Sequence, residues 1–148
     1  MLSELPALLT AAQGLGHTVD GVIPYKPSSI LWSDNARKER YIALPGTSQM
    51  TLTETGGWDM PEGAVLIKNF SMPLDERDPE NTLLRIETRV MVKENDQWEA
   101  FTYRWNEAQT DAELLSRFGD SRDIDIVNDD GVAETITWDY PSQNQCFA

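Results

Sequence analysis

The sequence predicts a mainly β fold, either an antiparallel β-sandwich or a jelly-roll-like barrel with two short helices. Three observations support this class: about seven short strand-like segments, turn signals between them, and no alternation of strands with long helices. The chain has 148 residues, which is the size of one domain and long enough to bury a core without disulfides or metals. We therefore expect a single packed domain.

The predicted domain organisation has three parts. Residues 1–20 form an N-terminal helix and linker, residues 21–142 form one β-sandwich domain, and residues 143–148 form a tail. The helix is expected from Ser3, a candidate N-cap, and from apolar residues that share one face up to Ala12. Prolines in the following segment predict an irregular loop over 21–29.

The strands are predicted from period-2 alternation and from the turns that separate them. Residues 83–93 give the clearest alternation, and with 98–105 they predict an antiparallel hairpin. The predicted strands cover residues 38–44, 49–53, 64–70, 83–93, 98–105, 123–127 and 132–138.

The second predicted helix begins after the first long hairpin. Thr110 and Glu113 have the spacing of a capping box, in which each side chain bonds the other residue's backbone N–H. We expect a short helix to run from there through Phe118 and to end at Gly119.

The net charge restricts the class of partner. The chain has 12 Lys and Arg against 25 Asp and Glu, a formal net charge of −13. Such a surface repels phosphate backbones and anionic lipid, which argues against a nucleic-acid partner or a membrane surface. No segment is as apolar as a bilayer span of about 18 residues requires, so no membrane insertion is expected.

One face of the longest predicted strand is a candidate ligand-binding site. Arg85, Glu87 and Arg89 alternate along that face, and Arg104 and Lys68 are expected on its neighbouring strands. Alternating charges can form a polar recognition site, but they are also typical of an ordinary solvated face. A third interpretation is a partly buried ionic cluster that fixes the strand register.

A second candidate site combines one aromatic side chain with charged groups. Trp32 and Asp34 lie in a predicted loop, close in sequence to Lys38 and Arg40, and together they could stack on and hydrogen-bond a sugar. The structural alternative places Trp32 in the core and makes Asp34 a turn cap or an ion-pair partner.

A third candidate is an exposed aromatic platform for carbohydrate. Alternation puts Phe101, Tyr103 and Trp105 on one strand face, which is a core pattern. Trp58 and Trp98 lie near predicted turns and are the better candidates for exposure.

Metal binding and catalysis have little support in the sequence. The acidic residues between 120 and 130 lack the spacing of an EF-hand, and they are better explained as a solvated edge that discourages pairing. His17 is the only histidine and Cys146 the only cysteine, so no zinc site, disulfide or nucleophile–base pair is evident. We assign no catalytic residue and no metal ligand.

Six segments together resemble a known bacterial family. They are LWSDNARKERYIALP at 31–45, WDMPEGAVLIKNF at 58–70, ETR at 87–89, YRWN at 103–106, TDA at 110–112 and YPSQNQC at 140–146. In this order they resemble an uncharacterised domain of exported multidomain proteins that precedes a c-type haem attachment sequence. Relatives in that family include dihaem-cytochrome-like proteins and haem-bearing fusions with sugar-dehydrogenase-type propellers. The resemblance extends from about residue 23 to residue 146.

The resemblance implies a function that involves haem. The family continues as C-x-x-C-H, so Cys146 would be the first haem cysteine, and this chain would end at Ala148, one residue before the second. The implied protein is periplasmic or extracellular, with its signal peptide outside these residues. Haem c would belong to the full-length protein and not to this chain.

Two functions follow as expectations. The first is a non-catalytic accessory domain of a c-type cytochrome-like redox protein, which positions the C-terminal haem domain against a redox partner or polysaccharide. The second is a carbohydrate-binding module that uses the exposed tryptophans.

Overall fold

The computed structural model describes residues 21–28 and 36–147. The predicted N-terminal helix and the candidate residues Trp32 and Asp34 lie outside the described residues. Within them the protein is mainly β, as predicted, with one short 3-10 helix over Gln143–Phe147. None of the helical segments in this part of the chain is long and apolar enough to cross a membrane.

The strands form three antiparallel sheets. The largest sheet has six strands in the order β1-β2-β5-β6-β7-β8, while β9 pairs with β10 and β3 pairs with β4. Strands β1 and β8 form the edges of the large sheet, so the described sheets are open and do not close into a barrel. The strands are β1 (Val22–Pro24), β2 (Arg37–Ala43), β3 (Thr51–Leu52), β4 (Trp58–Asp59), β5 (Val65–Pro73), β6 (Leu83–Glu94), β7 (Gln97–Trp105), β8 (Ala112–Leu114), β9 (Asp120–Val127) and β10 (Ala133–Tyr140).

All seven predicted strands are present in the structure, some with different ends. The predicted hairpin of β6 and β7 is confirmed, and its turn places Asn95 and Asp96 at positive φ. Strand β4 was not predicted, and the predicted strand at 49–53 is reduced to β3. Where a loop was predicted over 21–29, strand β1 pairs with β2 along the edge of the sheet.

The helix predicted after Thr110 is wrong, because this segment forms the edge strand β8. Asn106 directs the turn: its Oδ1 accepts hydrogen bonds from the backbone N–H groups of Thr110 and Asp111. Ala112 then pairs with Trp105. Backbone pairing with β7 therefore replaces the helix that the capping-box spacing predicted.

The main core lies between the β9–β10 hairpin and the large sheet. Trp138 from β10 contacts Phe70 from β5 edge to face, with ring centroids 5.5 Å apart. The cluster joins the two sheets through buried apolar side chains, namely Ala36, Phe70, Met72, Ile86, Ile124, Ile126, Trp138 and Tyr140. A second buried cluster contains Val65, Ile67, Val90 and Val92.

An irregularity in the sheet divides the predicted apolar face of β6. The pairing of β5 with β6 shifts between Phe70 and Ser71, which is a β-bulge. As a result Ile86 joins the main core with Trp138, whereas Val90 belongs to the second cluster. Simple alternation over 83–93 places these two side chains on one face and is wrong there.

Candidate functional site

Glu87 is the one fully buried carboxylate among the described residues, with 0% of its surface exposed. Arg89 binds it through two hydrogen bonds, and the indole Nε1 of Trp138 donates to its Oε2 at 3.0 Å. Glu87 is therefore neither a solvated surface charge nor part of an exposed recognition site. The third interpretation, a paired and partly buried ionic cluster, fits the contacts with Arg89. The contact with Trp138 also joins the cluster to the β9–β10 hairpin.

Arg89 belongs to a row of cations on the same sheet face. Strand pairing places Arg40 opposite Lys68, Lys68 opposite Arg89, and Arg89 opposite Thr102. Directly opposed residues in antiparallel strands share a face, so these side chains form a line across four strands. We call Arg40, Lys68 and Arg89 the cationic row.

Phe70 lies beneath the cationic row. The Lys68 Nζ lies 4.6 Å from the centroid of its ring, and the Arg89 guanidinium carbon lies 4.5 Å from it. Both distances are within the range of cation–π attraction. The ring itself is buried, so it offers the two cations a low-dielectric support and not a solvated surface.

The cations of the row repel one another. The pKa of Lys68 is lowered to about 8, chiefly by burial and then by the nearby charges of Arg89, Arg40 and Lys38, while Glu87 acts in the opposite direction. Neither Arg40 nor Lys68 forms a salt bridge with any carboxylate in the described part of the chain. The site concentrates positive charge in a protein whose net charge is −13.

The row ends beside Cys146. The Cys146 Sγ lies 3.9 Å from the hydroxyl of Thr102, which is the residue opposite Arg89. The 3-10 helix that carries Cys146 packs against β7. Its backbone is anchored, since the N–H of Gln143 donates to the carbonyl of Arg117 and that of Cys146 to the carbonyl of Ser142.

Arg85 does not belong to this site, although alternation predicted that it would. Its guanidinium carbon lies 4.5 Å from the centroid of the Trp105 ring, and the Nε1 of that indole donates a hydrogen bond to the Thr88 hydroxyl. Thr88 in turn donates to the Oδ1 of Asn69 at 2.7 Å. Arg85 therefore lies on the opposite face of the sheet, where burial lowers the pKa of its guanidinium.

Arg104 is a neighbour of Glu87 in the sheet but is engaged elsewhere. Its guanidinium donates hydrogen bonds to Glu113 at 2.9 Å and to Asp120 at 2.7 Å, and the hydrogen bond to Glu113 raises the pKa of Arg104. Arg104 and Glu113 line an open cavity of about 530 Å³. Arg104 and Glu113 already form an ion pair with each other there.

The two candidate tryptophans lie on either side of Lys93, Trp58 in the β3–β4 hairpin and Trp98 in the large sheet. Trp58 is 60% exposed and pairs with Leu52 in the β3–β4 hairpin. Trp98 is half-buried and lies opposite Lys93, whose ammonium reaches the Asp59 carboxylate at 3.2 Å. As predicted, Trp105 is buried, and Phe101 and Tyr103 pack against the second cluster.

The acidic hairpin does not assemble into a metal site. The side chains of Asp123 and Asp125 accept hydrogen bonds from Thr137 and Thr135 on the exposed face of the hairpin. Over the described ranges, no three His, Cys, Asp or Glu side chains are grouped to hold a metal ion.

Sequence reasoning named the charged residues of the site but not the residues that join them. Lys38, Arg40, Glu87 and Arg89 were candidates, and Lys38 extends the positive charge beside the row. Phe70, Thr102 and Trp138 were not identified as part of it, because only strand register and the packing of the hairpin bring them there. No family model, curated protein or solved structure matches this chain.

Proposed function

We propose that this chain is a non-catalytic accessory domain of a c-type cytochrome-like protein and that it positions a haem module joined to it through Cys146. In this proposal the β9–β10 hairpin and the large sheet form a β-sandwich. The proposal also places the protein in the periplasm or outside a bacterial cell. It rests on the resemblance of the six sequence segments and on the position of Cys146.

The observation that carries the proposal is the anchoring of Cys146 to the sheet. The 3-10 helix packs against β7, and its first turn is fixed by the contacts of Ser142, whose N–H and hydroxyl both lie within hydrogen-bonding distance of the Gln145 side-chain oxygen. A group bonded to the Cys146 sulfur would therefore have a defined position relative to the sheet. Such fixed attachment is what an accessory domain needs in order to orient a cofactor.

The residues present fit one part of a haem attachment site. Cys146 supplies one thiol for a thioether bond, and the cationic row beside it complements the negative charge of the haem carboxylates. In the proposal, the second cysteine and the histidine ligand follow Ala148. Haem supplies one-electron transfer when it is bound, while this chain orients it.

The experiment extends the chain through the coding sequence that follows Ala148 and expresses it in a bacterial host that matures c-type cytochromes. The proposal predicts haem that remains on the polypeptide in a denaturing gel, and its loss or strong reduction in Cys146→Ser. A stop codon directly after Ala148, or an extended protein without covalent haem, would contradict the proposal.

A second candidate function is carbohydrate binding through Trp58 and Trp98. The observation that favours it is the position of Lys93 between the two tryptophans. Lys93 lies opposite Trp98 in the sheet and forms a salt bridge with Asp59, the residue that follows Trp58. Aromatic rings on either side of one lysine suit stacking on a sugar chain.

Isothermal titration with soluble polysaccharides tests this second function. Binding heat should be lost in Trp58→Ala and retained in Phe118→Ala, which removes a different exposed ring. No heat with any glycan would leave only the accessory-domain proposal.

A further inference from the structure

A cleft of about 430 Å³ opens at the edge of the large sheet, between β1 and β2. Its volume is within the range of small-molecule sites, about 300–1,000 Å³. Two aromatic side chains and three cations are among the described residues that line it, namely Tyr25, Tyr41, Lys26, Lys38 and Arg40. Neither Cys146 nor the candidate tryptophans belong to this lining, so the two functions proposed above leave the cleft without a role.

Strand pairing places Tyr25 beside Arg40. The backbone N–H of Tyr25 donates to the carbonyl of Arg40 at 3.0 Å, which continues the antiparallel pairing of Pro24 with Tyr41 by one residue. Opposed residues share a sheet face, and Lys38 lies on that same face because it precedes Arg40 by two positions. The Tyr25 side is exposed, whereas Lys38 and Arg40 are half-buried, so water screens their charges only in part. One side of the cleft thus combines an accessible aromatic ring with two cations.

Glu39 is the one acidic residue among the described residues that line the cleft, and it serves the other sheet face. Burial and then the charge of Glu39 raise the pKa of Tyr41. Burial lowers the pKa of Arg85, and the charge of Glu39 opposes that shift. Arg85 lies on the face opposite to Arg40, as alternation along β2 also requires for Glu39. Glu39 therefore does not neutralise the cationic side of the cleft.

These residue types recognise two features of a ligand, an anionic group and a ring. A guanidinium binds a carboxylate or phosphate through its planar fork of donors, and a lysine adds a point charge. A tyrosine offers an apolar ring face for packing and a hydroxyl for hydrogen bonds. The net charge of −13 repels a long polyanion, but it opposes a ligand with one anionic group much less. A monosaccharide that carries one acidic group meets all of these requirements.

We propose that the cleft between β1 and β2 binds an anionic monosaccharide. Its carboxylate or phosphate lies against Lys38 and Arg40, and its ring packs on Tyr25. Lys26 is exposed and adds to the positive charge that attracts the anion. Arg40 is at the opposite end of the cationic row from Thr102 and Cys146, so this binding does not require an attached haem.

The experiment titrates the ¹⁵N-labelled chain and follows its backbone amides by NMR. Glucuronate and glucose 6-phosphate are the anionic sugars, glucose supplies the ring without the charge, and acetate and inorganic phosphate supply the charge without the ring. Arg40→Gln and Tyr25→Ala remove the two recognition features. Arg77→Gln and Phe118→Ala are the matched controls, because they remove a cation that pairs with Asp75 and a different exposed ring.

The proposal predicts shifts at residues 24–26 and 38–41 with glucuronate or glucose 6-phosphate, and the tighter of the two identifies the acidic group. Arg40→Gln should weaken that binding about tenfold and Tyr25→Ala about fivefold, while both controls bind as wild type does. The amide spectrum of each variant shows whether it is folded. Lys38→Gln, on the same face, replaces Arg40→Gln if the latter does not fold.

Three results would overturn this inference. The first is the absence of shifts with both anionic sugars. The second is equal affinity for the matching simple anion or for glucose, since either would show that one of the two features is not recognised. The third is unchanged binding in folded Arg40→Gln and Tyr25→Ala. Because the chain is used without haem, none of these results bears on the attachment of haem at Cys146.

Discussion

Replacing Glu87 with alanine is expected to destabilise the protein strongly. Glu87 is fully buried, and its removal leaves Arg89 without its bidentate partner and the indole N–H of Trp138 without an acceptor. The side chain of Arg89 is 26% exposed, so water solvates it in part, and the loss of the pair falls near the lower end of the usual range, about 3 kcal/mol. The unpaired indole N–H adds about 1 kcal/mol.

The expected loss in the free energy of unfolding is therefore about 4 kcal/mol. It can be measured by urea denaturation followed by tryptophan fluorescence, because Trp138 contacts the altered residue. Glu107→Ala is the matched control. That carboxylate is 89% exposed and lies 3.4 Å from Arg122, so its loss should change stability by less than about 0.5 kcal/mol.

A more conservative variant keeps the prediction testable if Glu87→Ala does not fold. Glu87→Gln preserves the shape and leaves an oxygen that can accept from Trp138, so it removes mainly the charge. Its expected cost is about 2 kcal/mol, between those of Glu87→Ala and Glu107→Ala. If Glu87→Ala loses less than about 0.5 kcal/mol, the side chain is not held in a buried ion pair and the reasoning fails.

Three further substitutions test other parts of the structure by urea denaturation. Lys68→Met should stabilise the protein by about 1–2 kcal/mol at pH 7, because the pKa of Lys68 falls from 10.5 to about 8 on folding and its partial exposure reduces the effect. Between pH 8 and pH 10.5 the folded state binds fewer protons than the unfolded state, so the gain in stability should be complete below pH 8 and disappear above pH 10.5. A gain that does not change with pH would contradict this assignment. Gly119→Ala should cost about 2 kcal/mol or more, because φ is +85° and a Cβ would lie 2.6 Å from the carbonyl oxygen of Tyr140; an unchanged midpoint would contradict that geometry. Trp105→Phe should cost about 1–2 kcal/mol by removing the donor to Thr88, and a neutral effect would show that this buried hydrogen bond is dispensable.

The sequence predicts the positions of the strands better than it predicts their pairing and register. Alternation over 83–93 identifies β6 because β-branched and polar residues alternate along a half-buried strand. The β-bulge between Phe70 and Ser71 leaves no local signal, since it depends on the partner strand. For the same reason Arg85 was placed on the wrong face, and the segment after Thr110 was predicted as a helix although it pairs with β7.

The candidate site shows the same division between local and long-range information. The charged residues Arg40, Glu87 and Arg89 could be chosen from sequence because their types and spacing are visible there. Their alignment in one row with Lys68 depends on the register of three strand pairs, and the approach of Cys146 depends on the packing of the C-terminal 3-10 helix. Residue type thus identifies candidates, while strand register decides which of them form a site.

Mass spectrometry of the extended protein is the most direct test of the proposed accessory function. After expression in a host that matures c-type cytochromes, the proteolytic peptide that contains Cys146 is isolated and its mass determined. The proposal predicts that this peptide carries one haem through a thioether to Cys146. A peptide in which Cys146 is an unmodified thiol, in protein from such a host, would contradict the proposal.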